Sequence, residues 1–354
     1  MPVSELFITL DIQTVLEVIF LGFIGGVVSG FIGTGGAFIM TPGMMNLGVP
    51  GVMAVGTNIA HKFGKSIMGS KKHAEMGHVD RKLGFFMLIT ATIGIRAAVE
   101  INQWFAVMDQ KGDTKFGGDL YISLLYVVVL SIISIPMLID ALRYKQLRTQ
   151  KSIGITEKIS MLNIPPMIYF KTADVTLSFW LVALVGLLTG FLAGSIGIGG
   201  FFGVPVMIYI FGVPSVVAAG TELFLAIFMG AWGALNYAWS GYVDLRLVLL
   251  LYLGSLSGIY IGAYGSKVVK ENIIRLITAL IILLCVLSRA VIIPVYLNKL
   301  NYLVLSEAAI DNLSLISKGL LFASGTVGVG IIFVYLIRAY RKKHNVRQLI
   351  DNGR

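Results

Sequence analysis

Long apolar runs dominate the chain, and short polar segments separate them. A helix needs about 20 apolar residues to cross a bilayer, and most of the runs reach or exceed that length. The runs cover residues 14–46, 51–72, 83–105, 119–141, 176–209, 214–238, 246–265, 272–296 and 316–338. Composition agrees, because 56% of the 354 residues are hydrophobic and only 13% are charged. The pattern predicts an all-α polytopic membrane protein.

The first half of the chain recurs in the second half at a constant offset of 164 residues. Gly22–Arg96 and Gly186–Tyr260 align without a gap, with 23 identities in 75 positions, 11 of them glycines. The GxGG, GVP, GT and VD motifs all recur, which predicts an internal duplication. The predicted units are a first transmembrane repeat (1–141), a basic cytoplasmic linker (142–175), a second repeat (176–296), and an extra transmembrane helix with a basic cytoplasmic tail (297–354).

Loop charges predict that the two repeats have inverted topologies, because cytoplasmic loops are enriched in Lys and Arg. The loop 71–82 has a net charge of +2, whereas its counterpart 238–246 is neutral. The next loop, 104–119, has a net charge of −1, and its counterpart 264–275 has +2. Equivalent loops therefore favour opposite sides of the membrane.

Inversion requires an odd number of crossings in each repeat, although each shows four apolar segments. One straight helix over 14–46 would be about 50 Å long, which is too long for one crossing. We therefore predict re-entrant, glycine-broken helical hairpins that turn at Gly33–Gly36 and Gly197–Gly200. With three crossings per repeat, the N-terminus lies outside, whereas the linker (+4) and the tail 338–354 (+5) lie in the cytoplasm.

The two glycine turns are candidate anion-binding elements. A short helix is predicted to begin near Ala37 and another near Phe201, each with free N–H groups and a positive dipole end. Broken helices of inverted repeats meet near the midplane of the bilayer. The alternative is that these glycines only permit tight packing. The candidate residues are Gly33, Thr34, Gly35, Gly36, Gly197, Ile198, Gly199 and Gly200.

The second apolar segment carries a polar helical face. Asn58, His61, Lys62 and Lys65 follow the i, i+3, i+4, i+7 spacing of one face. A lysine at bilayer depth costs roughly 2.5–3.5 kcal/mol on insertion scales, so these cations require water, a carboxylate or a bound anion. The alternative for Lys65 is that it extends towards the basic loop. Further candidates are Thr57 and its counterpart Thr221, and Glu222, which could serve as counter-ion or as proton carrier.

Paired GxGG turns, each followed by a proline, a GVP turn and a GT step, resemble the TauE/SafE family of sulfite and organosulfonate exporters. The resemblance covers about 14–105 and 176–296. It implies a multi-pass secondary transporter of the bacterial inner membrane that exports sulfite or a related sulfur-containing anion. The chain departs from the family pattern at Ala37 and Phe201, where a third glycine is common. It also departs at Glu222, where a small polar residue is usual.

Two other function classes remain open. One is an uptake permease or channel for another inorganic anion, such as sulfate or thiosulfate. The other, less favoured, is a membrane-embedded enzyme or assembly component. The four histidines form no HExxH motif or carboxylate cluster, and a single Cys285 excludes a cysteine cluster. We therefore predict no catalytic residue, metal or cofactor. The expected partners are the small anion, the lipid bilayer and protons as coupling ion. Nucleic acid is not expected, because the excess cations lie in loops and the tail.

Overall fold

The computed structural model describes residues 7–32, 36–111, 117–143, 164–269 and 271–351, which are predominantly helical. The first repeat and the start of the linker contain α1 (Ile12–Ile32), α2 (Ala37–Asn46), α3 (Gly51–Glu75), α4 (Arg81–Lys111) and α5 (Gly117–Arg143). A two-stranded sheet of β1 (Met167–Phe170) and β2 (Val175–Ser178) follows. The remaining helices are α6 (Phe179–Ile196), α7 (Gly199–Tyr209), α8 (Ser215–Trp239), α9 (Leu245–Val268), α10 (Glu271–Lys299) and α11 (Glu307–Asp351).

Within the described residues, eight helices are long and apolar enough to cross a membrane: α1, α4, α5, α6, α8, α9, α10 and α11. This confirms the prediction of a helical polytopic membrane protein. The helix α3 is 25 residues long, like its counterpart α8, but it carries the polar face with its two lysines. The two helices also begin 164 positions apart, at Gly51 and Ser215.

Each of the two longest apolar segments contains two helices. In the second segment, α6 ends at Ile196 because Gly197 adopts a left-handed conformation with φ of +80°, which glycine tolerates best. The helix α7 begins at Gly199, two residues before the predicted start. In the first segment α2 begins at Ala37, as expected, while Gly33, Thr34 and Gly35 lie outside the described residues.

The short helix of each segment runs back along the long helix that precedes it. A Cβ atom added to Gly36 would contact the backbone of Gly25, and one added to Gly43 would contact Leu21. In the second segment, a Cβ on Gly203 would contact Thr189 of α6. The pairs α1–α2 and α6–α7 are therefore antiparallel helical hairpins.

Close backbone packing joins the two halves. The helix α1 packs along α9, and α4 packs along α6. Both pairs are parallel: Gly22 and Gly26 of α1, for example, contact the backbones of Leu251 and Ser255, respectively. Glycines four residues apart line these contacts, because a side chain would separate the backbones.

The counterpart helices α3 and α8 pack against each other and run antiparallel. Gly69, near the end of α3, contacts Leu223, and Gly233, near the end of α8, contacts Ile59. Near the middle, Gly230 of α8 approaches the backbone of Phe63. The centres of the two helices therefore face each other.

A β-hairpin formed by β1 and β2 lies between the two repeats, at the described end of the predicted linker. Met167 pairs with Ser178 in its antiparallel register. The hairpin is anchored, since Phe170 and Ala173 are buried. The helix α5 packs along α10, and α11 packs along α10 as well.

Candidate functional site

An ion pair between the two halves lies close to the centre of the α3–α8 contact. Lys62 is 11 residues from the start of α3, or about 17 Å at 1.5 Å per residue, and one residue from the centre of this helix. Its Nζ lies 3.7 Å from Oε1 of Glu222 on α8. The two side chains are only 14% and 4% exposed. The antiparallel packing of the two helices thus pairs a largely buried lysine with a buried glutamate.

Two further residues of the polar face contact α1 and α9, which pack against each other. Lys65 donates a hydrogen bond from Nζ to Oγ of Ser29 on α1 over 2.6 Å. It is therefore directed into the protein rather than towards the basic loop. Nε2 of His61 lies 2.9 Å from Oγ of Ser255 on α9, and its ring lies 4.6 Å from that of Tyr252. The described contacts place both residues at the centre of the helix bundle.

Asn58 connects the two helical hairpins. Its Nδ2 donates to the carbonyl oxygen of Ala37 over 3.1 Å and to Oγ1 of Thr41 over 2.8 Å. Because a carbonyl oxygen can only accept, these bonds fix the orientation of the amide. The Oδ1 atom is buried and has no hydrogen-bond partner in the described structure. A Cβ on Gly197 would lie 2.8 Å from Nδ2, so the second glycine turn fits closely against Asn58.

Glu222 occupies the space beside the first turns of α7. A Cβ on Gly200 would lie 2.6 Å from its Oε1, and one on Gly203 would lie 2.8 Å from its Oε2. A negative charge is favourable at the start of a helix. In the second half, therefore, the carboxylate of Glu222 lies where the sequence predicted the binding of an external anion. The equivalent position of the first half, Asn58, is uncharged.

A cavity of about 40 Å³ lies between these side chains. Since a water molecule requires roughly 10–15 Å³ of such space, the cavity has room for a few waters or a compact group. Lys62 and Ala226 also border a neighbouring cavity of about 10 Å³, which reaches Gly197. The polar residues of the larger cavity are Ser29, Asn58, His61, Lys62, Lys65, Ser66 and Glu222.

The remaining predicted site residues have other contacts. Thr57 and Thr221 are buried, and their hydroxyl oxygens accept backbone N–H groups from the other half. Gly36 is packed against Gly25, and a Cβ on Gly199 would contact Ala193. Ile198 is buried directly before α7. Their roles in substrate binding stay predictions, as do those of Gly33, Thr34 and Gly35, which lie outside the described residues.

The sequence did not indicate which residues support the second glycine turn. The last carbonyl groups of α6 have no partners within their own helix. The hydroxyl groups of Tyr126 and Tyr237 donate to the carbonyl oxygens of Ile196 and Gly194, each over 2.7 Å. Asn102 donates to the carbonyl oxygen of Ser195 over 3.0 Å. The donors come from α4, α5 and α8, and only the unsatisfied helix end could have suggested that they exist.

The sequence pattern also did not predict that Arg289 is buried in the core. Arg289 of α10 is fully buried and donates hydrogen bonds to Oδ1 of Asn46, at the end of α2, and to Oγ of Ser317 on α11. Arg289 therefore joins the first helical hairpin to the last two helices.

Comparison with known proteins identifies the family. The model of the family described as "Sulfite exporter TauE/SafE" matches residues 18–289. The chain belongs to the TauE/SafE family. This TauE/SafE protein is 27% identical over 271 residues to the "Probable membrane transporter protein YjnA" of Bacillus subtilis (strain 168), covering 76% of this chain and 96% of the relative. It is 23% identical over 262 residues to YdhB of the same organism, another probable membrane transporter protein, covering 73% and 93%.

The family and the helical architecture together identify a multi-pass membrane transporter. No solved structure gives a significant match to this TauE/SafE protein. Among the described residues, no group of three or more His, Cys, Asp or Glu side chains could hold a metal ion.

Proposed function

We propose that this TauE/SafE protein is a secondary transporter that exports sulfite, or a related sulfur-containing anion or organosulfonate, across the inner membrane. The observation that carries the proposal is the pair of lysines, Lys62 and Lys65, beside a cavity at the centre of the bundle. Cations at this depth are costly unless an opposite charge or water accompanies them. One glutamate, Glu222, and two lysines line this cavity, which leaves a positive charge for an anionic ligand.

The proposed transporter consists of two inverted repeats with re-entrant hairpins, followed by the extra helix α11. Counterpart helices related by an axis in the membrane plane run in opposite directions, and the antiparallel packing of α3 and α8 supports this relation. The return of α2 along α1 and of α7 along α6 supports hairpins that enter and leave on one side. The loop charges favour an external N-terminus and a cytoplasmic C-terminus.

In the proposed binding mode the anion contacts Lys62 and Lys65 and competes with Glu222 for the first of them. Two negative groups in one small cavity repel each other. Binding of the anion is therefore favoured when Glu222 accepts a proton. This competition couples the movement of the anion to a proton and involves no chemical reaction, which agrees with a transporter rather than an enzyme.

The second candidate is an uptake permease or channel for another inorganic anion, such as sulfate or thiosulfate. The same charges would serve it, because neither the lysines nor the cavity encodes a direction of transport. The compact size of the cavity, about 40 Å³, supports a small anion in both cases.

Flux measurements on purified protein in proteoliposomes separate these candidates. We expect sulfite flux above that of sulfate and thiosulfate, and we expect it to respond to an imposed pH gradient. Flux of sulfate or thiosulfate above that of sulfite would favour the second candidate, and absence of flux for all three anions would contradict the proposed transport. Lys62→Met should lower this flux, and Lys71→Met is its matched control, because Lys71 lies on the same helix but is exposed and outside the cavity.

A further inference from the structure

Two clusters of hydrogen bonds close the opposite ends of the α3–α8 pair. At one end, the backbone N–H of Asp80 donates to Oγ1 of Thr221 over 3.0 Å. The Oδ1 atom of Asp80 accepts the N–H of Leu83 at the start of α4. Its Oδ2 accepts the N–H groups of Thr172 and Ala173 in the β-hairpin over 2.9 and 3.0 Å. We call Asp80, Thr221, Thr172 and Ala173 the hairpin clasp.

The other end carries the counterpart of this cluster. The backbone N–H of Asp244 donates to Oγ1 of Thr57 over 3.1 Å. The carboxylate of Asp244 accepts from the guanidinium of Arg246, with Nη2 2.8 Å from Oδ2. The same guanidinium donates to the carbonyl oxygen of Ile8 over 3.3 Å and lies 5.3 Å from the ring of Phe7. We call Asp244, Thr57, Arg246 and Ile8 the N-terminal clasp.

The two clasps use positions that the duplication relates to each other. Thr57 and Thr221 are 164 positions apart, and so are Asp80 and Asp244. Lys82, the counterpart of Arg246, donates to a carbonyl oxygen of the β-hairpin over 2.9 Å and lies 5.6 Å from a phenylalanine ring of that hairpin. The GT motif of each half therefore binds the VD motif of the other half, beside a segment that covers that end.

Each clasp is adjacent to the central site. Thr57 directly precedes Asn58, and Thr221 directly precedes Glu222, so both clasps touch residues that line the cavity. Gly220, which precedes Thr221 on α8, packs against His73, and His73 is 16 residues after Thr57 on α3. The clasps thus lie roughly 20–25 Å apart along the helix axis, with the lysines between them.

We propose that the two clasps are the gates of the transporter, and that one of them opens while the other stays closed. The hairpin clasp closes the cytoplasmic end, and the N-terminal clasp closes the external end. Both clasps are formed in this structure, so both gates are closed in it. The inference rests on the proposed transport through this cavity, but access to the cavity can be measured without any anion.

The test measures access to position 226, which borders both cavities. Ala226→Cys is introduced into a Cys285→Ala background and treated with a membrane-impermeant maleimide in right-side-out and inverted vesicles. We expect Thr221→Val to increase labelling from the cytoplasmic side about fivefold, the shift that follows from losing one ordinary hydrogen bond. Thr57→Val should do the same from the external side.

Matched variants separate gating from general loosening. Thr278→Val removes a buried hydroxyl that donates to the carbonyl oxygen of Ile274 within α10, and it should change labelling on neither side. Thr221→Ser keeps the hydroxyl and should restore the original labelling. If a variant at one of the buried threonines does not fold, Lys82→Gln and Arg246→Gln provide a second test at exposed positions. They weaken the contacts with the β-hairpin and with the N-terminal segment, respectively, and should show the same sidedness.

Labelling that changes with opposite sidedness in the two sets of variants supports the gates. Equal changes on both sides, or no change relative to Thr278→Val, would overturn them. Since labelling needs no anion, these results are independent of whether sulfite is the substrate.

Discussion

Replacing Lys62 by methionine tests the central charge most specifically. Methionine has a similar length and fills the space of the lysine stem, so the change removes the charge with little loss of packing. Among the residues that the structure describes, Lys62 is the one whose cationic group lies within 4 Å of the Glu222 carboxylate. The variant therefore leaves a buried carboxylate without its ion-pair partner and removes one cation from the cavity.

Two effects of different size are expected. Removing one partner of a buried pair destabilises a protein by about 3–5 kcal/mol, so Lys62→Met should lower thermal stability clearly. A hydrogen bond to a charged group contributes about 1.5–3 kcal/mol, which corresponds to roughly 10- to 150-fold weaker anion binding. Adding Glu222→Gln should restore most of the stability, because the unpaired carboxylate is gone, but should not restore the cation-dependent affinity.

The assay combines thermal unfolding with sulfite binding measured by calorimetry on purified protein in detergent. The single variants, the double variant and the exposed control Lys71→Met form one set. If Lys62→Met binds sulfite within twofold of the unmodified protein, the lysine does not contact the anion. If the double variant is no more stable than Lys62→Met, the ion pair with Glu222 does not explain the stability loss.

Three further variants test the surroundings of the site. Gly200→Ala places a Cβ 2.6 Å from the nearest carboxylate oxygen of Glu222. It should lower the unfolding free energy by about 1–3 kcal/mol and reduce flux. The control Gly319→Ala has open space around it and should do neither. Arg289→Met should lower the unfolding free energy by about 1–3 kcal/mol because buried acceptors lose their donor, while the exposed Arg338→Met should stay near zero. Tyr126→Phe removes the hydrogen bond to the end of α6 and should lower the unfolding free energy by about 1 kcal/mol. All three variants are measured by thermal unfolding, and an unchanged melting temperature in any of them would contradict the contact that it tests.

The sequence could predict features that depend on local chemistry. The apolar runs located the helices, and the glycines located the breaks between α1 and α2 and between α6 and α7. The spacing of Asn58, His61, Lys62 and Lys65 on one helical face required no knowledge of the tertiary structure. These residues do border one cavity.

Features that depend on packing between the halves could not be predicted. The repeat showed that the GT and VD motifs recur, but not that each binds its counterpart in the other half. The position of Glu222 beside Gly200 follows from the contact between α8 and α7, which no local pattern encodes. Donors such as Tyr126 reach the end of α6 from a different helix, so only the tertiary structure identifies them.

The most direct test of the central claim is the position of a bound anion in an experimental structure. Selenite, the selenium analogue of sulfite, can be located by its anomalous scattering in crystals of the intact protein. The account predicts a selenium peak in the cavity between Lys62 and Lys65, and loss of this peak in Lys62→Met. A selenium peak elsewhere in the protein, with the cavity free of it, would contradict the proposed site.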